Sequence, residues 1–187
     1  DLGITVGWTG GINKRSVSEQ VLAFMIGLSR NIFGTSLRLK SGEWHKEGGA
    51  QLTGKCVGII GCGHIGQDLI HLLQPFRCRI LINDIVDKNL VTDTYGAIQV
   101  TKEDLIREAD FISLHVPLTD LTNRLVNQSF LSQMKASAFL INTSRGPVVE
   151  QAALKQALQH KQIAGAALDV FELEPPDDLE FLGLPNL

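Results

Sequence analysis

The chain has 187 residues, 44% of them hydrophobic and 20% charged, with a formal net charge of −3. That is enough for one well-buried domain of ordinary globular composition, and the acidic balance offers no electrostatic basis for binding nucleic acid or an anionic membrane. The longest apolar run, VLAFMIGL at 21–28, falls well short of the roughly 18 to 20 residues a bilayer crossing needs.

The amino end, DLGITVGW, has neither a basic segment nor a long apolar stretch, so no secretory signal is visible. ITVGW (4–8) reads as a short strand ending at a turn on Gly10 and Gly11. Ser16 and Glu19 match a capping box, which predicts a helix from there to about Ile32. Residues 38–55 are polar and glycine-rich and read as an exposed connection.

From Cys56 onward, apolar strand patterns alternate with helical ones. CVGII (56–60), IGQDLIHLLQPF (65–76) and CRILIND (78–84) are followed, after a loop, by AIQV (97–100), KEDLIREA (102–109) and DFISLHV (110–116). NQSFLSQM (127–134), SAFLINT (137–143), EQAALKQALQHK (150–161) and IAGAALDV (163–170) complete the series. Strands that are apolar on both faces belong in a parallel sheet covered on both sides by helices. The fold class expected is therefore α/β, a doubly wound parallel sheet of the Rossmann type, without internal repeats.

The stretch GCGHIG at 61–66 follows the first of these strands and opens the next helix. Three glycines at this spacing are also common in turns that only pack, so the pattern needs a second signal. In a dinucleotide site Gly61 makes the tight turn, Gly63 lets backbone approach a diphosphate, and Gly66 lets helix and strand pack closely. The helix then points unpaired N–H groups and partial positive charge at the phosphates. The confirming signal is an acid about 20 positions on, at the end of the next strand, and Asp84 meets it. A carboxylate there accepts from ribose hydroxyls and repels a 2′-phosphate, so the expected cofactor is NAD. Asp87, and the lack of any Arg or Lys between Asp84 and Lys88, point the same way.

Arg145 follows a later strand in INTSRGPVVEQAAL, where a doubly wound sheet brings it to the ligand crevice. Its planar fork suits a carboxylate, although a surface ion pair explains an isolated Arg equally well. Asp169, Glu172 and Glu174 follow the last strand, ahead of a Pro pair. Cys56, Cys62 and Cys78 lack metal-ligand spacing, so no metal site is expected; an odd count suits small buried side chains and a reducing compartment, with the cytoplasm as default.

GKCVGIIGCGHIG, SLHVPLT, INTSRGPVVEQAAL and AGAALDVFELEPP, in that order, resemble the NAD-binding domain of the D-isomer-specific 2-hydroxyacid dehydrogenases, nearest the phosphoglycerate dehydrogenase-like branch. GINKRSVSEQVLAFMIGLSR resembles the helix that opens this domain, so the likeness covers essentially the whole chain. The resemblance implies that His64 and Ile65 meet the diphosphate and Asp84 the ribose. Val116 and Pro117 would line the adenosine side, with Thr143 and Ser144 preceding Arg145, the substrate-binding residue. Asp169 would bind the nicotinamide carboxamide, and Glu174 would partner the catalytic histidine. Pro147 and Glu150 depart from the family's usual Gly and Asp.

In the family that histidine follows an LPN-like segment, and the chain stops at Leu187, just short of it. His45, His64, His71, His115 and His160 are expected to be structural or solvent-facing. Residues 1–187 are accordingly expected to form the NAD-binding domain of a larger two-domain enzyme, with the substrate domain elsewhere and no turnover by this piece alone. The resemblance further implies a small 2-hydroxy acid as substrate and a homodimer formed through the first helix and its following arm. An NAD(H)-sensing module like the family's corepressors is the alternative.

Overall fold

The computed structural model of the chain describes residues 3, 7, 9–45 and 49–187. Ile4, Thr5, Val6 and Trp8 of the expected first strand lie outside the described residues. The strands β1 (Cys56–Ile60), β2 (Arg79–Asn83), β3 (Ile98–Gln99), β4 (Phe111–Leu114), β5 (Phe139–Asn142) and β6 (Gly165–Leu168) form one sheet in the order β3-β2-β1-β4-β5-β6. All neighbours are parallel. The chain winds outward from β1 in one direction, then returns and winds outward from β4 in the other, which makes the sheet doubly wound.

Eight helices accompany the strands among the described residues: α1 (Lys14–Ser29), α2 (Ile32–Lys40), α3 (His64–Leu73), α4 (Asn89–Tyr95), α5 (Lys102–Glu108), α6 (Gln128–Leu131), α7 (Gln151–Gln159) and α8 (Leu179–Leu182). Alternate residues of each strand feed two cores. Val57, Ile59, Ile80 and Ile82 pack with Val21 and Met25 of α1 and Leu69, Ile70 and Leu73 of α3. On the other face Ile60, Leu81, Ile112, Leu114 and Leu140 pack with Leu105 of α5, Leu131 of α6 and Leu154 of α7. Gly58 is where α5 comes closest, because a Cβ there would lie 2.5 Å from the Leu105 side chain. Burial on both faces is what a parallel sheet requires and what the apolar strand runs encode.

Three features differ from the sequence-based expectation. Ser16 does not cap α1: the helix starts at Lys14 behind Asn13, which makes no side-chain cap, and the Ser16 hydroxyl donates to the Asn13 carbonyl at 2.9 Å. Gly11, at φ +75°, turns the chain early enough for the helical ladder to begin at Asn13. Nor does the helix reach Ile32. Asn31 takes the left-handed conformation (φ 51°), and α2 folds back so that the Phe33 ring covers Gly27, where any Cβ would overlap it. Residues 38–40 thus belong to a helix, not to the connection, and Leu52 within the connection is buried. The third feature is α4, inside a stretch expected to be loop, stopped by Gly96 at φ 67°.

Candidate functional site

The carboxyl ends of five strands fall on one transverse row. Asn83 pairs with Ile60, Ile60 with Leu114, Leu114 with Asn142, and Asn142 with Leu168. Asp84, Gly61, His115, Thr143 and Asp169 are the residues that follow, so the sheet delivers all of them to one edge. Four inter-strand steps of about 4.8 Å separate the outer two, roughly 19 Å in all. The change of winding direction lies between β1 and β4, where a doubly wound sheet opens its ligand crevice.

At the centre of this edge Gly61 has φ +89°, and a Cβ on it would lie 2.5 Å from the His115 carbonyl oxygen. A Cβ on Gly66 would lie 2.7 Å from the Gly61 carbonyl, so α3 can approach β1 this closely only with glycine there. Gly63, by contrast, has open space where its Cβ would be. It is the N-cap of α3 and makes no side-chain cap. The first-turn N–H groups of His64, Ile65 and Gly66 have no intrahelical acceptor and point at that space. Gly61 thus makes the tight turn, Gly66 permits the close helix–strand contact, and Gly63 leaves the space over the helix start free.

Asp84 accepts from Cys62 N through Oδ2 at 2.8 Å and from Val86 N through Oδ1 at 3.0 Å. Burial works against its charge, but these N–H groups and the Lys88 ammonium outweigh it and hold the carboxyl below its usual range. Oδ1, with one donor, keeps a lone pair for a hydroxyl. Lys88 alters one part of the sequence argument. It is no remote cation, because its Nζ stands 3.4 Å from Asp84 Oδ2, across one helical turn's worth of chain.

Val116 lies against the glycine turn, its Cγ1 2.9 Å from a Cβ built on Gly61, and Pro117 accepts from the Thr122 hydroxyl. His115 Nε2 meets the Ser113 hydroxyl at 2.9 Å, and burial pushes the His115 pKa down to about 4, so the ring is neutral. Burial pushes the Cys62 thiol up to about 11, which leaves it protonated and unreactive at neutral pH.

The other half of the edge is organised by Asn142. Its side-chain amide donates to the Arg145 carbonyl at 3.0 Å, and its Oδ1 accepts from Ser144 N at 3.0 Å and the Ser144 hydroxyl at 2.8 Å. Thr143 Oγ1, in the same turn, is buried and lacks a hydrogen-bond partner. Arg145 is exposed and donates from NH1 to the Ser144 carbonyl at 2.6 Å, which leaves most of its fork available. The next residue, Gly146, lies under the loop after β6: a Cβ on it would overlap the Phe171 carbonyl and come within 2.6 Å of Glu172 N. In that loop Glu174 accepts from Phe171 N at 3.0 Å. Asp169 extends the β5–β6 ladder through its N–H to Asn142 O, and its Oδ1 accepts from Gln20 Nε2 of α1 at 2.7 Å.

The edge thus brings together Gly61, Gly63, His64, Ile65, Gly66, Asp84, Val116 and Pro117 on one side. Thr143, Ser144, Arg145, Asp169 and Glu174 gather on the other. Three contributors escaped the sequence reading. Asn142 carries a recognisable signal, an Asn at a strand end before a polar turn, which is the setting for a side-chain-to-backbone turn. Lys88 was seen, but not as a partner of Asp84. Gln20 carries no signal, since 149 residues separate it from Asp169. Among the described residues no group of three His, Cys, Asp or Glu is arranged to hold a metal ion, and no helix is long and apolar enough to cross a membrane.

This donor and acceptor set fits NAD: unpaired N–H groups and open space for a diphosphate, a carboxylate for ribose hydroxyls, and an unpartnered buried hydroxyl at Thr143. A concavity of about 600 Å³ lies elsewhere, lined by Phe24, Leu28, Phe33, Phe139 and Ala167 among others. Of the row residues it touches Leu168 alone, and it includes none of Asp84, Gly61, His115, Thr143 and Asp169.

Comparison with known proteins agrees with the geometry. Residues 22–187 match the family model described as D-isomer specific 2-hydroxyacid dehydrogenase, NAD binding domain. A glyoxylate reductase of Thermococcus litoralis is 39% identical over 194 residues, covering 99% of this chain and 59% of that protein. A D-3-phosphoglycerate dehydrogenase of Methanocaldococcus jannaschii is 38% identical over 175 residues, covering 92% of this chain and 33% of that protein. Among solved structures, a D-lactate dehydrogenase from Sporolactobacillus sp superposes with a TM-score of 0.84 at 38% identity, covering 93% of this chain and 57% of that one. The chain spans less than two thirds of the length of each of these relatives.

Proposed function

The chain belongs to the D-isomer specific 2-hydroxyacid dehydrogenases, as their NAD-binding domain, and from that premise we propose that it is the cofactor-holding part of a two-domain oxidoreductase acting on a small 2-hydroxy acid. The observation that carries this reading is the single row of strand ends, with the glycine turn and Asp84 on one side of the winding reversal and Asn142 organising Arg145 on the other. Glyoxylate, hydroxypyruvate, D-lactate and 3-phosphoglycerate, the compounds for which relatives are named, define the substrate class to test.

In this reading the N–H groups of His64, Ile65 and Gly66 hold the diphosphate, Gly61 and Gly63 keep the approach free of side chains, and Asp84 accepts from the adenosine ribose. Val116 and Pro117 wall the adenosine side, Thr143 and Ser144 border the nicotinamide half, and Asp169 accepts from the carboxamide. Bound NAD supplies the hydride acceptor. Arg145 clamps the substrate carboxylate and stabilises charge developing on the C2 oxygen. Glu174, with Oε1 on Phe171 N, keeps its other oxygen for a histidine outside residues 1–187, which it holds toward the protonated form.

None of this chain's histidines supplies that base in the proposal. His115 is neutral and bonded to Ser113, His64 sits on the glycine turn, His71 stacks edge-on with Tyr95, His160 bonds its own helix, and His45 lies in the exposed stretch after α2. Fluorescence titration of the 187-residue chain is expected to show NADH binding, with no turnover of the four acids named above. Absence of binding would refute the cofactor site, and measurable turnover would refute the need for an outside histidine.

The homodimer is proposed to form through α2 and the residues after it. Ile32, Phe33, Leu37, Leu39 and Trp44 are all exposed there, Trp44 to 80%. Light scattering is expected to give twice the chain mass, reduced to the monomer by Leu37→Asp; a wild-type monomer would refute this. The three free cysteines support a reducing compartment, the cytoplasm in this proposal.

A further inference from the structure

The hydrogen bond from Gln20 to Asp169 joins α1 to the end of β6. We propose that Gln20 is a positioning residue for the nicotinamide end of the site, holding one carboxylate oxygen of Asp169 so that the other is left to accept from a carboxamide N–H. The inference rests on the reading of Asp169 as the carboxamide acceptor and deepens it.

Three observations support the assignment. Asp169 is exposed, and no other side chain among the described residues donates to it, so without Gln20 its carboxylate has nothing to hold one rotamer. An unheld acceptor loses rotamer freedom when a ligand binds, and that loss weakens binding. Gln20 is also a neutral donor. A Lys or Arg at this reach would neutralise the carboxylate and compete for both oxygens, whereas one amide N–H occupies a single lone pair.

The third observation is the seating of α1. Val21 and Met25 are fully buried beneath it. Two residues before Gln20, Ser18 donates to Asp68 Oδ2, and Arg15 donates to Asp68 Oδ1 at 2.8 Å. Asp68 belongs to α3, the helix whose amino end meets the diphosphate. Residues two apart on a helix point to different sides, so α1 grips the phosphate helix through Arg15 and Ser18 and the far end of the row through Gln20. The same rigid element therefore sets the distance between the two halves of the site.

The test compares NADH with ADP-ribose, which carries the same adenosine and diphosphate but no nicotinamide. Gln20→Met keeps the side-chain length and removes the donor. It is expected to weaken NADH about tenfold and leave ADP-ribose within about twofold, the scale of one hydrogen bond to a charged group. Asp169→Ala is expected to show the same selectivity, and the double variant to be no worse than Asp169→Ala alone. Retained ADP-ribose binding certifies that each variant is folded. An unchanged ratio in Gln20→Met beside a changed ratio in Asp169→Ala overturns the role of Gln20 while sparing that of Asp169. Equal loss of both ligands in Gln20→Met, or losses that add in full in the double variant, overturns it as well. If Asp169→Ala itself leaves the ratio unchanged, the reading of Asp169 fails and this inference with it.

Discussion

Asp84→Asn separates what the carboxylate does for the fold from what it does for cofactor choice. In the native chain its two oxygens serve two backbone N–H groups, of Cys62 and Val86, with Lys88 Nζ 3.4 Å away. An asparagine can accept from only one of those donors, and its own amide then confronts the other. Losing one hydrogen bond to a charged carboxylate costs about 1.5–3 kcal/mol. Taking about 2 kcal/mol, and roughly 2–4 °C per kcal/mol for a domain of this size, Tm should fall by about 4–8 °C. The effect on cofactor choice follows from charge. Two unit charges about 4 Å apart interact by about 4 kcal/mol at an effective dielectric constant of 20, so the repulsion of a 2′-phosphate by Asp84 and its attraction to Lys88 largely cancel. In the proposed site a preference for NADH then rests mainly on hydrogen bonds to the ribose hydroxyls. Removing the carboxylate charge frees Lys88, and the NADPH-to-NADH affinity ratio should rise by tenfold or more, about 1.4 kcal/mol. Thermal unfolding and paired fluorescence titrations read both effects. A Tm within a degree of native, together with a ratio changed less than twofold, would refute the assigned role of Asp84.

Gly146→Ala should be costly, because its Cβ would meet the Phe171 backbone, which cannot swing aside as a side chain can. A loss of about 3 kcal/mol in urea unfolding is expected, and a native midpoint would show that the Arg145 turn and the Phe171 loop are not locked together. Stability should also depend on His115, whose folded pKa of about 4 lies below its ordinary value of 6.5. Between those values the unfolded chain binds the proton and the folded chain does not, so stability is present in full above pH 6.5 and falls, by on the order of 3 kcal/mol, as pH drops to 4. The urea midpoint of His115→Asn should lack that decline; an identical profile in both proteins would contradict the burial. Below pH 4 the carboxylates act. Asp68 and Asp110 are buried against their charge but are held below the usual range by Ser18 and Arg15 and by Cys56 N and Lys135 respectively. Their contribution is present above pH 4 and lost as pH falls through the lowered values, so Asp68→Asn should flatten the acid limb of the same titration.

The doubly wound sheet was legible in the residues because each layer of it leaves a local trace. A strand buried on both faces must be apolar throughout, as CVGII is, and the turn at Gly61 admits only glycine where the Cβ would strike the His115 carbonyl. Asp84 was legible for the same reason, standing one residue beyond a strand at a distance set by one βαβ unit. The start of α1 was misread because a capping-box pattern is only a local competitor for the backbone, and Gly11 and Asn13 had already begun the ladder upstream. The overlap that forbids any side chain at Gly146 and the bond from Gln20 to Asp169 left no trace in the chain order. Each depends on where two segments stop after packing, and only the assembled sheet, with α1 laid across it, fixes that distance.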